Sequence, residues 1–265
     1  MASDDSSSDA PNSISELIER AQLLGKQIGT SSPWYRGNGR TDYDLIPTVY
    51  RRPHCIQSER SYANEFRSRA PSRHHPCPPN DDHVGWLMMM RHYGLPTRLL
   101  DWTESLLVAA FFAVTDKQGA KGEEGCIWLL HPGRLNHAEG GGSGLFSIRS
   151  SAVIAQADAV FLGSSSDLPK QQTIAFVGQE IDPRLTVQQS MFTIHHGRCD
   201  LRKHVDAPKL LRRISIPPSS KTRILDELTQ AGIREMSLFP DLEHLSRWIP
   251  GYIAQRRMED LGYIE

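Results

Sequence analysis

Hydrophobic positions recur at helical spacing in several stretches of the chain. Apolar residues repeat every three or four positions from Ile14 to Ile28, and Ser13 with Glu16 forms the pattern of a capping box. The same spacing predicts further helices over 57–70, 83–93, 104–114 and 220–231, and one or two short helices over 242–253. Gly94 stands where the third of these helices would end in a left-handed glycine.

Short apolar runs bounded by glycine or proline predict the strands. They cover 34–36, 97–102, 126–130, 173–177, 191–195 and 210–216, which gives a sheet of at least five or six strands. Strands and helices are interleaved without a strict alternation of strand and helix, so an α+β fold is favoured over a doubly wound sheet. Neither a GxGxxG nor a GxxxxGK[ST] phosphate loop occurs in the sequence.

The length of 265 residues is at the upper end of what one hydrophobic core supports. Residues 1–12 are rich in Asp and Ser and offer almost nothing to bury, so we expect a disordered N-terminal tail. We expect residues 13–265 to form a single domain.

The composition of the chain bears on its binding partners and on its location in the cell. The 30 Lys and Arg residues nearly balance the 31 Asp and Glu residues, so no global positive field indicates nucleic acid or an anionic membrane. The four cysteines have no paired spacing, and the N-terminus lacks the apolar stretch of a signal peptide. No apolar run approaches the ~20 residues that cross a bilayer. We therefore expect a cytoplasmic or otherwise intracellular protein that has no membrane partner.

One dense block of polar residues lies between core-forming segments. Arg98, Asp101, Thr103 and Ser105 surround Trp102. Burying these groups unpaired would be unfavourable, so they must either satisfy one another or face a ligand cleft. The structural alternative is an Arg98–Asp101 ion pair that fixes a turn, with Thr103 as a helix cap.

Arg36 raises the same question, because it follows two aromatic residues and precedes Gly37. A guanidinium at a strand end beside a glycine can clamp a phosphate or carboxylate, and the glycine lets the backbone approach a ligand closely. The alternative for Arg36 is a structural ion pair.

Three motifs resemble the FRG domain, which is named for a Phe/Tyr-Arg-Gly motif. They are WYRG at 34–37, GLPTRLLDWT at 94–103 and LFPDL at 238–242. The middle motif is long and specific. The resemblance runs from about Trp34 to about Leu245, which is nearly the whole predicted domain.

A more distant similarity links the chain to ADP-ribosyltransferases of the Arg-Ser-Glu type. Those proteins have an early Tyr-Arg-Gly, then a Ser/Thr-x-Ser strand that leads into an Ala-x-x-Phe helix. This chain has YRG at 35–37, TES at 103–105 and AAFF at 109–112 in that order. The resemblance implies a split β-sheet cleft with flanking helices, in which NAD binds.

The resemblance also implies residue roles. Arg36 would hold the NAD diphosphate or the nicotinamide ribose, Thr103 and Ser105 would order the nicotinamide pocket, and Trp102, Tyr93 or Tyr35 could stack on the ring. The expected NAD-binding residues are Tyr35, Arg36, Gly37, Tyr93, Arg98, Asp101, Trp102 and Thr103. Breaking the nicotinamide–ribose bond needs stabilisation of an oxocarbenium-like charge more than it needs a nucleophile.

The acidic element of that family is where the chain departs from the pattern. Gln188 and Gln189 stand where a carboxylate is expected. An amide can bind a ribose hydroxyl but cannot offset a developing positive charge, so the substitution bears on turnover more than on NAD binding. We include both glutamines among the candidate catalytic residues with Arg36, Thr103 and Ser105, and Glu180 as a candidate substitute acid.

These observations lead to a functional hypothesis. The sequence favours an NAD-dependent ADP-ribosyltransferase with a macromolecular acceptor, most of all a nucleic-acid base in DNA, with guanine among the candidates. A basic track formed by Arg51, Arg52, Arg67, Arg69 and Arg73 would support that acceptor, and a solvated helix face is its alternative.

Other functions stay open at this point. They are a protein ADP-ribosyltransferase, a non-catalytic nucleotide-binding module and a protein-interaction domain. We expect no metal site, because His74, His75, Cys77 and His83 fit no paired-ligand spacing. The sequence does not predict an oligomeric state.

Overall fold

The computed structural model describes residues 10–115, 122–142, 144–163 and 168–260. Residues 1–9 of the expected tail lie outside these ranges. The helices of the described residues are α1 Ile14–Gln27, α2 Glu59–Arg69, α3 His83–His92, α4 Leu106–Thr115, α5 Pro132–Ala138, α6 Ser151–Phe161, α7 Pro183–Val187, α8 Ala207–Leu210, α9 Pro218–Gln230, α10 Glu235–Leu238 and α11 Leu242–Asp260. The strands are β1 Trp34–Asn38, β2 Leu99–Thr103, β3 Gly125–Leu130, β4 Phe146–Ser147, β5 Gln172–Val177, β6 Ser190–His196 and β7 Leu211–Ile216.

The strands form one seven-stranded sheet in the order β4-β5-β6-β2-β1-β3-β7. Only β4 and β5 are parallel among the neighbouring pairs of this sheet. The mixture of helices with a mainly antiparallel sheet confirms the α+β class.

The sheet is split between β1 and β2. Five residue pairs join β1 to β3 and five join β2 to β6, whereas Tyr35 and Thr103 are the pair that joins β1 to β2. A ladder of one pair holds two strands weakly, because each backbone hydrogen bond adds only about 1 kcal/mol. The sheet therefore consists of two well-paired halves that meet along a short seam.

Each half carries its own helices on one face. Helices α2, α3 and α6 pack on β2, β5 and β6, and helices α1, α4 and α9 pack on β3 and β7. A third cluster, which includes Trp34, Leu100, Trp102 and Trp128, covers the opposite face with α5 and α8 and spans both halves. This shared cluster holds the halves together while the two groups of helices stay separate above the seam.

Gly37 explains how closely α4 approaches β1. A Cβ atom on Gly37 would lie 1.8 Å from the carbonyl oxygen of Ala109. No side chain fits in that space, so only glycine allows this contact between strand and helix. The glycine of the Tyr-Arg-Gly motif thus allows the close packing of α4 on β1, and Gly37 also lines the cavity described below, so its predicted role beside a ligand stays a prediction.

Most elements agree with the sequence predictions. Ser13 caps α1, accepting a hydrogen bond from the Glu16 amide at 3.3 Å. The C-terminal helix differs: α11 is one helix that continues through Pro250. Helices α5, α6, α7, α8 and α10 and strand β4 were not predicted. Helix α7 begins at Pro183, where the proline suggested a turn. A proline in the first turn of a helix removes no hydrogen bond from the helix, because the amide groups there have no partner within it. A proline at position 183 is therefore compatible with a turn and with the start of a helix. No described helix combines the length and the apolar character needed to cross a membrane.

Candidate functional site

A cavity of about 770 Å³ lies at the seam between the two halves. Strands β1 and β2 form its floor, α3 and α4 form its sides, and α7, α9 and α10 contribute to its rim. Ligand pockets commonly measure roughly 300–1,000 Å³, so the cavity has the size of a small-molecule site.

Arginine dominates the charge of the cavity. Five arginines line it, together with two acidic residues: Arg36, Arg51, Arg91, Arg184 and Arg234, with Asp101 and Glu235. They come from five separate parts of the chain, and tertiary folding alone brings them together. Guanidinium groups bind phosphate and carboxylate through paired donors, so this lining selects an anionic ligand.

Arg36 reaches across the seam from β1 to β2. Its Nη1 donates to the carbonyl oxygen of Asp101 at 2.7 Å and lies 3.9 Å from Oδ2 of the same residue. Burial lowers the pKa of Arg36 to about 10, although the Asp101 carboxylate opposes this shift. The guanidinium therefore remains charged at neutral pH.

Asp101 is held by Arg91 of α3. Nε and Nη2 of Arg91 both donate to Oδ2 of Asp101, the first at 2.8 Å, and Nη1 donates to the Thr48 hydroxyl at 2.9 Å. Burial raises the pKa of Asp101, but Arg91 and Arg36 outweigh this effect, so the pKa lies below its usual value. The carboxylate that the sequence analysis paired with Arg98 thus serves Arg91 and Arg36.

Arg98 does not line the cavity, unlike Arg36, Asp101 and Thr103, with which it was predicted to bind NAD. It is 6% exposed, and its Nε and Nη2 donate to Glu59 Oε2 at 3.0 and 2.8 Å. The Arg98 amide also donates to Glu59 Oε1 at 2.8 Å. Glu59 is 1% exposed, so the two residues form a closed ion pair in the core and present no group to a ligand.

Arg51 and Arg184 line the cavity without a carboxylate partner among the described residues. Arg51 donates through Nε and Nη2 to the carbonyl oxygen of Ile46 at 3.0 and 2.7 Å. The Arg184 guanidinium stacks over the Phe239 ring at 4.4 Å. Burial lowers the pKa of both arginines, because their charges are desolvated without full compensation.

Three buried polar atoms in the cavity lack a hydrogen-bond partner. They are Nε of Arg36, Nδ2 of Asn38 and Nδ1 of His92. Such orphaned atoms are rare in folded proteins and call for a ligand or a water molecule. Burial lowers the pKa of His92, so its imidazole is neutral at pH 7. Two amide- or guanidinium-type donors beside a neutral imidazole suit a polar, anionic ligand.

Of the two predicted hydroxyl residues, Thr103 lines the cavity and Ser105 does not. The Thr103 hydroxyl lines the cavity, donates to the carbonyl oxygen of Gln188 at 2.6 Å and accepts from the Ser105 amide at 3.0 Å. Ser105 accepts from the Val108 amide at 3.3 Å and so caps the first turn of α4. Its side chain is occupied by the backbone, which explains why it lies outside the cavity lining.

Gln188 and Gln189 lie in different environments. Gln188 is buried, lines the cavity and donates from Nε2 to the carbonyl oxygen of Leu238 at 2.9 Å. Gln189 is exposed, has a φ of 46° and accepts from the Glu104 amide through its backbone. Its position in a turn keeps its side chain away from the cavity. Glu180 is exposed as well and accepts from the Thr186 hydroxyl at 3.2 Å.

The three aromatic stacking candidates have different surroundings. Tyr35 is half-buried and lines the cavity, and burial raises its pKa. The Trp102 indole is buried in the core and donates to the Thr193 hydroxyl at 3.1 Å. Tyr93 is exposed outside the cavity, with its hydroxyl 3.0 Å from His74 Nδ1. Tyr35 and Trp102 both line the cavity, and Tyr35 is the more exposed of the two, so Tyr93 is the one candidate of the three that lies outside it.

The predicted basic track is not continuous. Arg51 lines the cavity, whereas Arg67 stacks over Phe161 at 5.3 Å and Arg69 pairs with Glu65 at 2.7 Å. These contacts favour the alternative of a solvated helix face. Within the described ranges, no three His, Cys, Asp or Glu side chains are grouped to hold a metal ion.

One segment of the chain matches a known protein family. Residues 31–122 match the family model of the FRG domain. The chain contains an FRG domain. The matched segment includes WYRG at 34–37 and GLPTRLLDWT at 94–103, while LFPDL at 238–242 lies beyond it. No curated protein and no solved structure matches the chain significantly, so the likeness to ADP-ribosyltransferases stays a prediction.

The FRG segment supplies the inner part of the cavity. It contributes β1, α3, β2 and α4, and with them Arg36, Arg51 and Arg91. Arg184, Arg234 and Glu235 come from downstream of the match. Sequence reasoning missed these three and gave Arg91 no role. Only the position of Arg234 and Glu235 just before the LFPDL motif offered a signal.

Proposed function

We propose that the chain is an NAD-dependent ADP-ribosyltransferase that modifies a macromolecular acceptor, with a nucleic-acid base as the favoured acceptor. The observation that carries the proposal is Arg36, a charged guanidinium at the seam of a split sheet with its Nε unpaired. A guanidinium in this position can clamp a diphosphate through paired hydrogen-bond donors. The reaction type, transfer of ADP-ribose, is proposed from the order of the motifs YRG at 35–37, TES at 103–105 and AAFF at 109–112, which resembles that of ADP-ribosyltransferases.

The charge balance of the cavity supports a dinucleotide donor. A diphosphate carries two negative charges, and the cavity sets five guanidinium groups against two carboxylates. The unpaired Arg36 Nε and Asn38 Nδ2 are donors that phosphate or ribose oxygens would satisfy. Tyr35 supplies an aromatic surface in the same cavity.

The preference for a nucleic-acid acceptor rests on the arginines at the rim. Arg184 and Arg234 lie on the α7 and α10 side, away from the strand that carries Arg36. Phosphates of an acceptor strand bind guanidinium groups in such a position through charge. A protein acceptor is the alternative, and it would depend less on salt concentration.

The decisive test is incubation of the protein with NAD and, separately, with DNA, RNA or a protein extract. An added ADP-ribose mass on one acceptor is the expected result. Arg36→Ala should abolish the labelling and leave the protein folded. Arg247→Ala is the matched control, because Arg247 is exposed on α11 and its partners among the described residues are the nearby Glu243 and His244. Full labelling by Arg36→Ala would remove Arg36 from the site.

A second candidate function is non-catalytic nucleotide binding. The arginine-rich cavity supports binding whether or not turnover follows. A ligand at 100 times its Kd stabilises the native state by about 2.7 kcal/mol, which a thermal-shift experiment detects. Stabilisation by NAD without release of nicotinamide would favour this candidate. An unchanged melting temperature would favour a protein-interaction domain.

A further inference from the structure

Glu235 is the second of the two acidic residues in the cavity lining. It is exposed to solvent, and no described side chain forms an ion pair or hydrogen bond with its carboxylate. We infer that Glu235 is a catalytic residue that stabilises the positive charge developing on the ribose during ADP-ribose transfer. This inference rests on the function proposed above, and it assigns the acid that the glutamines at 188 and 189 fail to provide.

The electrostatics of the cavity require such a group. Guanidinium groups stabilise a bound diphosphate, but the same charges disfavour a cation forming on the neighbouring ribose. A carboxylate in the cavity must offset them if the bond is to break. Asp101 is committed to Arg91 and Arg36, so its charge is already balanced. Glu235 is the acidic lining residue whose charge remains available.

A chain of hydrogen bonds holds the segment that carries Glu235 against the sheet. The Thr103 hydroxyl on β2 donates to the carbonyl oxygen of Gln188 at 2.6 Å. The Gln188 side chain then donates to the carbonyl oxygen of Leu238 at 2.9 Å, at the end of α10. Gln188 is therefore a positioning residue. Its backbone carbonyl binds β2 and its side chain binds the end of α10, so these two hydrogen bonds fix the distance between β2 and the helix that carries Glu235.

The proposed step balances without a covalent enzyme intermediate. The bond between C1′ of the ribose and the nicotinamide nitrogen breaks, and its electron pair leaves with neutral nicotinamide. The Glu235 carboxylate faces the cationic C1′ and keeps its own electrons. A lone pair of the acceptor nitrogen forms the new bond to C1′, and the proton lost by the acceptor passes to water. When water replaces the acceptor, free ADP-ribose results.

The test compares Glu235→Gln with the wild-type protein in two measurements. We expect the rate of nicotinamide release to fall by roughly 10²–10³-fold, as for the loss of one transition-state stabilising group. NAD binding, measured by thermal shift, should be retained or tighter, because the variant removes a negative charge near an anionic ligand. Glu243→Gln is the control, since Glu243 is an exposed carboxylate on α11 outside the cavity.

The outcomes separate this inference from the proposed function. A wild-type protein that releases nicotinamide, with Glu235→Gln equally active, would overturn the role of Glu235 and leave the proposed function standing. A wild-type protein that binds NAD but never releases nicotinamide would overturn both. Lower release together with lost NAD binding would make Glu235 a binding residue and contradict its catalytic role.

Discussion

Arg98 and Glu59 form an ion pair inside the core, with the Arg98 Nη2 2.8 Å from Glu59 Oε2. Glu59 begins α2, and Arg98 directly precedes β2. The Glu59 carboxylate also accepts from the Arg98 amide, so it fixes the backbone just before the strand that forms the cavity floor. This pair therefore acts on the site through the position of β2.

Replacing Glu59 by glutamine should destabilise the protein by about 3–5 kcal/mol, because it leaves a guanidinium buried without its counter-charge. Chemical denaturation measures the change. Glu65→Gln is the matched control, since Glu65 and Arg69 form an exposed pair on the same helix. That pair should contribute less than about 1 kcal/mol. Equal effects of the two substitutions would contradict the structural role of the buried pair.

Gly37→Ala should lower stability by about 1–3 kcal/mol or prevent folding, because the new Cβ overlaps the Ala109 carbonyl oxygen. Helix α4 would have to move away from β1, which would also widen the cavity. A melting experiment with Gly251→Ala as control tests this. Gly251 lies in α11 with open space around a new Cβ, so its replacement should leave stability unchanged or raise it. Normal stability of Gly37→Ala would show that the approach of α4 is not tight.

Gln188→Glu separates a positioning role from a catalytic one. A glutamate has nearly the same shape but cannot donate to the Leu238 carbonyl oxygen when ionised, so we expect a loss of about 1–3 kcal/mol in stability. Nicotinamide release should fall as well, since α10 loses its anchor. An increase in release would instead indicate that residue 188 occupies the position of the catalytic acid. Denaturation curves and release rates on the same preparations distinguish the two.

His195 predicts a pH dependence of stability. It is fully buried between Thr193 and Thr173, and burial lowers its pKa to about 3. The unfolded chain binds a proton at His195 below about pH 6.5 and the folded chain does not, so stability falls as the pH falls. The expected slope is ~1.4 kcal/mol per pH unit between about 6.5 and 3.

Denaturation of the wild-type protein and of His195→Gln at pH 6.5, 5.5 and 4.5 measures this contribution. The carboxylates and the other histidines titrate over part of this range in both proteins, so the comparison of the two proteins isolates the contribution of His195. The stability difference between the two proteins should shrink as the pH is lowered, because the variant lacks the buried base. A constant difference would mean that His195 has the same pKa in the folded and the unfolded protein.

The local elements and the match to the FRG domain could be predicted from the amino-acid sequence alone. Ser13 with Glu16, and the apolar spacing that follows, placed α1 within one residue of its observed bounds. The motifs around Arg36 and 94–103 indicated the FRG domain, and they placed Arg36, Asp101 and Thr103 in the cavity lining. These inferences succeed because helix caps, periodicity and motifs depend on residues that are close in the chain.

Which charged side chains pair with one another, and which do not, depends on the packing of elements that are distant in the chain. Arg98 and Asp101 are three residues apart, yet Arg98 binds Glu59 and Asp101 binds Arg91. Arg184, Arg234 and Glu235 join the cavity from far along the chain, because α7 and α10 pack beside the seam of the sheet. No local pattern encodes such contacts. A charged group takes whichever partner the packing of distant elements brings within hydrogen-bond reach, and the low dielectric of the interior makes that choice energetically decisive.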